Sequence, residues 1–301
     1  MSVDALQEAL RGEMYVADRG LAMSVYLALQ LGRPLFLEGE AGVGKTEVAR
    51  ALSSALNARL IRLQCYEGLD VSQAVYEWNY SRQLLHLRLL EASGDVDRQA
   101  AERELFSEEF LIKRPLLQSL EGGDRKVLLI DELDRADEEF EGYLLEMLSD
   151  FQITVPEVGT YTAETRPVVV ITSNRTREIH DALKRRCLYY WIDYPDLDKE
   201  TQIVRSKAPG ASQRLAGQVT AFVQELRGAE LYKVPGVAET LDWTAALVSL
   251  NTEALTPEVI DETLGVMLKY REDVQNVRGE QTRALLARAQ NRGAGRGGRR
   301  G

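Results

Sequence analysis

The run Gly39-Glu40-Ala41-Gly42-Val43-Gly44-Lys45-Thr46 constrains this chain more than any other stretch. The apolar segment Pro34-Leu35-Phe36-Leu37 precedes it, and Val48, Ala51, Leu52, Ala55 and Leu56 recur after it on one helical face. Strand, glycine-rich turn and helix, in that order, make a phosphate cradle. Glycines let backbone N–H groups turn inward, and the helix N-terminus adds the positive end of its dipole. Lys45 then reaches the outer phosphates, and Thr46 offers its hydroxyl to a magnesium ion. The candidate nucleotide-binding segment is therefore Gly39, Glu40, Ala41, Gly42, Val43, Gly44, Lys45, Thr46 and Glu47.

A second strand signal, Val127-Leu128-Leu129-Ile130, ends in the paired carboxylates Asp131 and Glu132. Four consecutive apolar residues predict a strand buried on both faces, and open α/β sheets place their ligands at the C-terminal ends of such strands. Asp131 suits a magnesium ion, which prefers hard oxygen ligands, and Glu132 suits orienting a water for attack. Taken alone, the same pair equally suits a helix N-terminus that wants negative charge. A third buried strand, Val168 to Ser173, ends at Asn174, whose amide can bond both a water and a γ-phosphate or cap the next segment. Arg185-Arg186-Cys187 precedes a fourth strand, Leu188 to Ile192. Those arginines are either surface charges or a guanidinium offered to the γ-phosphate of a neighbouring subunit.

A chain of 301 residues, 45% apolar and 28% charged, can bury a substantial core and divide into more than one domain. No apolar run reaches the length of a membrane span, and Met1-Ser2-Val3-Asp4-Ala5 lacks the basic start of a signal peptide, so a cytoplasmic location is expected. The net charge of −10 argues against a nucleic-acid binder held by phosphate contacts. The stretch from Asn291 to Gly301 is the local exception: basic, glycine-rich and without an apolar anchor, it reads as a disordered tail, either simply solvated or RNA-binding. Cys65 and Cys187 form no metal-ligand spacing and read as buried small hydrophobes; with only His86 and His180 besides, zinc is not expected.

Along the chain, residues 4–11 and Asp18 to Leu31 predict helices, with Asp18 as N-cap of the second. Tyr15 and Val16 between them read either as a wall for an adenine or as a loop packed on the core. Leu60 to Cys65 predicts a strand, residues 71–90 a partly helical segment, and residues 91–109 a charged surface insertion. Leu116, Leu117 and Leu120 suggest a helix stopped by Gly122-Gly123, and alternation over residues 151–162 predicts a β-hairpin. After Asp193-Tyr194-Pro195-Asp196 the strand signals cease and only helical periodicity follows.

Strand, phosphate loop, Leu-Ile-Asp-Glu, strand ending in asparagine, Arg-Arg-Cys and a helical end together resemble an AAA+ ATPase, over nearly the whole chain. The segment Ile61 to Cys65, the insertion after it, the hairpin at 151–165 and Trp191-Ile192-Asp193-Tyr194-Pro195 are similar to the MoxR branch, closest to its CoxD-like members. The resemblance implies an α/β fold, a P-loop AAA+ core of parallel sheet sandwiched by helices (residues 1–195), followed by a small all-α lid (196–289) and the tail (290–301). It implies ATP and Mg²⁺ as cofactors, with Lys45 and Thr46 in Walker A and Asp131 and Glu132 in Walker B. Asn174 becomes sensor 1 and Arg186 the arginine finger, with Arg185 the second choice. It further implies a homo-oligomeric ring, commonly a hexamer, working as a chaperone with a von Willebrand A-domain partner on a client metalloenzyme. CoxD is associated with maturing the copper–molybdenum centre of a carbon monoxide dehydrogenase. One departure stands out. Where AAA+ proteins carry a lid arginine, this chain has Val234 to Trp243 and no arginine between Arg227 and Arg271, so Lys233 substitutes or that contact is missing. Two competing functions share the phosphate loop: a nucleic-acid motor or clamp-loader-like subunit, and a small-molecule kinase. The acidic body disfavours the first, and the second leaves Glu132, Asn174, Arg186 and the helical end without a joint role.

Overall fold

Strands with no polar face must be covered on both sides, and in this protein such strands make one parallel sheet. The structure is a computed structural model that describes residues 1–93 and 103–297. Its strands in chain order are β1 (Leu35–Gly39), β2 (Arg59–Gln64), β3 (Tyr76–Trp78), β4 (Leu111–Lys113), β5 (Lys126–Asp131), β6 (Gln152–Val155), β7 (Gly159–Thr162), β8 (Val168–Ser173) and β9 (Leu188–Ile192). Five of them form a sheet in the order β2-β5-β8-β1-β9. Every residue of β5 is buried, and β8 is buried from Val169 onward. The parallel registers pair Leu129 of β5 with Val170 of β8, and Leu35 of β1 with the same Val170. Asp131 and Ser173 thus end neighbouring central strands on the same edge of the sheet. The expected α/β class, a parallel sheet with flanking helices and a helical C-terminal portion, is what the chain adopts.

By contacts, residues 1–6, 19–38 and 46–191 form one compact unit, and residues 7–18, 39–45 and 192–301 form a second. In the first, Leu128, Ile130 and Ile171 from the sheet share a core with Leu116, Leu117, Phe140, Leu144 and Met147 from helices. The hairpin predicted over 151–162 is present, with Ile153 opposite Tyr161. Residues 71–90 are helical in part, as expected, with a short strand between two helices. A short helix, Val71–Ala74, is capped by Asp70, β3 follows and pairs antiparallel with β4, and a helix then runs from Tyr80 to Ser93. The pairing partner lies beyond the insertion, so local periodicity carries no trace of it. Residues 94–102 of the expected surface insertion lie outside the described residues.

The second unit is built on the helices Leu197–Lys207, Gln213–Arg227, Val237–Ser249, Pro257–Met267, Arg271–Val277 and Glu280–Gly297. Trp243 is fully buried; its ring lies 5.5 Å from that of Phe222, and its indole N–H donates to Thr263 Oγ1 at 2.8 Å. Buried Glu200 accepts from Arg227, Gln224 and Thr240, so each of its oxygens is satisfied. The Arg227 guanidinium also lies over the Tyr194 ring at 4.9 Å. The last helix differs from expectation. It continues to Gly297, well into the stretch read as a disordered tail, because extending a formed helix adds a hydrogen bond per residue without a new nucleation cost. Residues 298–301 lie outside the described residues. No helix among the described residues is long and apolar enough to cross a membrane.

Trp243→Ala removes the largest fully buried side chain among the described residues and the indole donor to Thr263, so it is expected to cost about 3–5 kcal/mol of stability in the second unit, read as a shift of its denaturant midpoint.

Candidate functional site

The sheet edge at the end of β5 concentrates charge that burial forces into partnership. Asp131 is 2% exposed, and three side chains serve its carboxylate. Thr46 Oγ1 donates to Oδ1 at 3.0 Å and lies 3.2 Å from Oδ2. Thr172 Oγ1 donates to Oδ1 at 2.6 Å, and Arg62 reaches Oδ2 through Nε at 3.0 Å and Nη2 at 2.6 Å. These partners sit where they do because the strands are in register. Arg62 is paired with Leu129 two residues before Asp131, and Thr172 lies on β8, next to β5.

Glu132 turns the chain out of the sheet. Its backbone is left-handed, φ 56° and ψ 50°, a conformation that costs a non-glycine residue ~1–3 kcal/mol and clusters at functional sites. Its N–H donates to Thr172 Oγ1 at 2.9 Å, while Gln64 Nε2 (3.1 Å) and Arg135 Nη1 (3.2 Å) hold Oε2. Asn174 follows β8, and its N–H donates to buried Asp134 at 3.1 Å. Glu132 and Asn174 line one open cleft of about 930 Å³, together with Asp134, Arg135, Thr176 and Arg177. Beneath it, burial first and then the carboxylates of Asp131, Asp134 and Glu132 push the Cys65 thiol up to about 12. Both cysteines are free and buried, as small hydrophobes would be.

The phosphate-loop run is divided between the two units after Lys45. Residues 39–45 belong to the second, while Thr46 belongs to the first. Lys45 Nζ folds back on its own loop, donating to Gly39 O at 2.8 Å and Glu40 O at 2.6 Å. The loop backbone is claimed by the first turn of the helix Val237–Ser249. Gly42 O accepts from Val237 N at 2.9 Å and Ala238 N at 3.3 Å. This is where a lid arginine was expected; backbone N–H groups touch the loop instead, and Lys233 is exposed. The approach is close enough to require glycine on both sides. Gly42 has φ +77°, and a Cβ on Gly236 would stand 2.9 Å from Ala41 O and 3.0 Å from Gly42 C. Glu239 Oε2 accepts from Gly236 N at 2.9 Å and closes the same corner. Tyr15 lies beside the loop too, its Cε2 3.9 Å from where a Cβ on Gly44 would be. Glu47, in the first helical turn, pairs with Arg50 at 3.2 Å.

The last turn of the helix Asp181–Arg186 is basic. Arg186 Nη1 donates to Leu145 O and Ser149 Oγ of its own chain. Arg185, the second choice as finger, is exposed, and its guanidinium has no hydrogen bond or ion pair among the described residues. Sequence reasoning named Thr46, Asp131, Glu132 and Asn174, which lie on one sheet edge, but missed Arg62, Gln64, Thr172, Asp134 and Gly236. Two signals were available: Arg62 and Gln64 alternate with buried Ile61 and Leu63 on β2, and Thr172 interrupts an otherwise apolar strand.

Gly236→Ala is expected to prise Gly42 from Val237 and raise amide exchange across residues 39–45. Gly265→Ala, whose added Cβ meets nothing within 4 Å, should leave that exchange unchanged.

The chain is similar to several known proteins. The chain is 28% identical over 200 residues to YehL of Escherichia coli K12, an uncharacterised protein; the match covers 63% of this chain and 48% of YehL. The chain therefore spans about half the length of that relative. It is 24% identical to the gas vesicle ATPase GvpN1 of Halobacterium salinarum, over 85% of this chain and 75% of that one. Among solved structures, a variant of RuvB from Thermotoga maritima superposes with a TM-score of 0.48 at 17% identity, covering 88% of this chain and 70% of the other. The profile of the AAA domain, dynein-related subfamily, matches residues 34–187, from the start of β1 through the arginine pair to Cys187. By that match over half its length, the chain belongs to the AAA domain family, in its dynein-related subfamily.

Proposed function

We propose that the protein hydrolyses ATP and uses the cycle to remodel other proteins. The observation that carries this reading is the convergence of Thr46 and Asp131 at 3.0 Å, with Glu132 and Asn174 opening on one cleft beside them. A hydroxyl and a carboxylate are hard oxygen donors, and they fit a magnesium ion that takes its remaining ligands from water and phosphate. Among the described residues no group of three or more His, Cys, Asp or Glu is arranged to hold a metal by itself. When bound, magnesium neutralises charge on the phosphate oxygens. Arg62 is the counter-ion of Asp131 in this form, so loading the site requires that guanidinium to share or yield Oδ2.

The remaining steps belong to the chain's own side chains. The amides of residues 39–44 surround the phosphates, and Lys45 leaves Gly39 O and Glu40 O to reach their outer oxygens. Thr46 orients from the first turn of its helix. Glu132, released from Gln64 and Arg135, holds the attacking water, and Asn174 bonds the same water or the terminal phosphate. The Arg185-Arg186 turn supplies a guanidinium to a neighbouring subunit. Arg185 is available as it stands, whereas Arg186 must first leave Leu145 O. A closed ring, hexameric by the MoxR resemblance, is the assembly in which each turn finds a loop. The same resemblance supports a CoxD-like role in the cytoplasm, with a von Willebrand A-domain partner and a metalloenzyme client. GvpN1, itself described as an ATPase, supports the hydrolytic part.

Two measurements test this. Glu132→Gln is expected to bind ATP with unchanged affinity and to lose phosphate release by about 100-fold or more, the range of a general base; release at the parent rate would remove Glu132 from that role. The double variant Arg185→Ala/Arg186→Ala is expected to be inactive alone and to regain turnover when mixed with Glu132→Gln, which binds ATP and keeps both arginines. No recovery in assemblies verified as mixed would contradict action between subunits.

A further inference from the structure

The strand that runs into the phosphate loop also grips the basic turn, and it does so at both ends. Arg33, just before β1, spends one guanidinium on three consecutive carbonyls. Nε donates to Arg186 O at 3.0 Å, and Nη2 donates to Arg185 O at 2.5 Å and Cys187 O at 3.3 Å. Those carbonyls end the helix Asp181–Arg186, where a cation complements the helix dipole. Leu188 N–H donates to Pro34 O at 2.8 Å and closes the same join.

At the other end of β1, Glu38 is the last residue before the loop, and it is 4% exposed. Its Oε2 accepts from Tyr189 Oη at 3.0 Å, and the Tyr189 ring packs 6.0 Å from that of Phe36, two residues earlier on β1. Oε1 has no hydrogen-bond donor. Lys184 Nζ, one residue before the arginine pair, stands 3.8 Å from it, an ion pair without a hydrogen bond. A buried carboxylate oxygen left in this condition is costly, and a small approach of the ammonium would satisfy it. The contact therefore has a loose arrangement and a tight one available. Glu38 is joined by one peptide bond to Gly39, so displacement of the loop by a phosphate acts directly on the carboxylate that faces Lys184.

We propose that Arg33 and Glu38 are positioning residues for the Lys184–Cys187 turn: Arg33 fixes its backbone, and Glu38, through Lys184, transmits phosphate occupancy of the adjoining loop to the arginines that serve the next subunit. The inference rests on the ATPase reading above and adds a direction of signalling to it. It predicts that each subunit's own nucleotide sets the posture of the guanidinium it lends.

Hydrogen–deuterium exchange of the full chain, with and without a non-hydrolysable ATP analogue, tests this with separate signals. Protection of residues 39–46 by the analogue reports on the nucleotide reading itself, and its absence overturns that reading and this inference together. Given that protection, the parent chain is expected to show a second nucleotide-dependent change across residues 181–188. Glu38→Gln keeps an acceptor for Tyr189 but removes the charge, and Lys184→Met removes the partner. Both are expected to retain protection at 39–46 and lose the change at 181–188, with the double variant no different from either single one. Arg33→Met is expected to raise exchange at 185–188 in both states. A parent chain with no change at 181–188, or a Glu38→Gln chain that keeps it in full, would overturn the proposal. Turnover gives an independent reading: Glu38→Gln mixed with Glu132→Gln, which still binds ATP and so still sets its own arginines, should regain activity, which a mere folding defect would not do.

Discussion

A carboxylate at the end of a fully buried strand cannot remain unpartnered, and the first unit is arranged around that requirement. Asp131 lies where β5 meets its neighbours, so its partners come from three other elements: Thr46 from the helix after the phosphate loop, Arg62 from β2 and Thr172 from β8. The same threonine fixes the N–H of Glu132, whose left-handed backbone swings its carboxylate from the sheet into the cleft. The register of three parallel strands thus converts two adjacent acids into groups with different environments. One is buried and held by three side chains, and the other is partly exposed and held loosely by Gln64 and Arg135. Such a division of labour between neighbouring carboxylates is what a hydrolytic site requires.

In the second unit the corresponding constraint is steric. Residues 39–45 can lie against Val237 and Ala238 because neither Gly42 nor Gly236 carries a Cβ, and the loop carbonyl takes its hydrogen bonds from a helix start. Backbone N–H groups, and not an arginine side chain, meet the loop at that point. Arg227 donates to Pro235 O, next to Gly236, and is otherwise committed to Glu200 and lies over the Tyr194 ring.

The class of fold, the strands of the sheet and the acidic edge were legible in the sequence because each rests on local signals. The eight-residue loop has a unique backbone demand, β5 and β8 each carry four consecutive apolar residues (Val127 to Ile130 and Val168 to Ile171), and Asp131 and Asn174 mark where those strands stop. What stayed illegible depends on contacts between distant segments. β3 pairs with β4 across the insertion, Arg33 meets carbonyls about 150 residues away, and Gly236 is glycine only because Ala41 lies against it. A polar residue such as Arg62 on an edge strand looks solvent-facing in sequence, and only the register shows that it faces Asp131. The basic turn is a middle case: its residues were visible, but not that Arg186 is tied to Leu145 while Arg185 is left open.

The central claim is that Thr46 and Asp131, 3.0 Å apart, are where the magnesium ion of a bound nucleotide is held. The most direct measurement is equilibrium binding of a fluorescent ATP analogue to the full chain, with and without magnesium, for the parent and for Asp131→Asn. The account predicts that magnesium tightens binding to the parent and that this gain disappears in Asp131→Asn while the metal-free affinity stays the same. An unchanged magnesium effect in Asp131→Asn would contradict it.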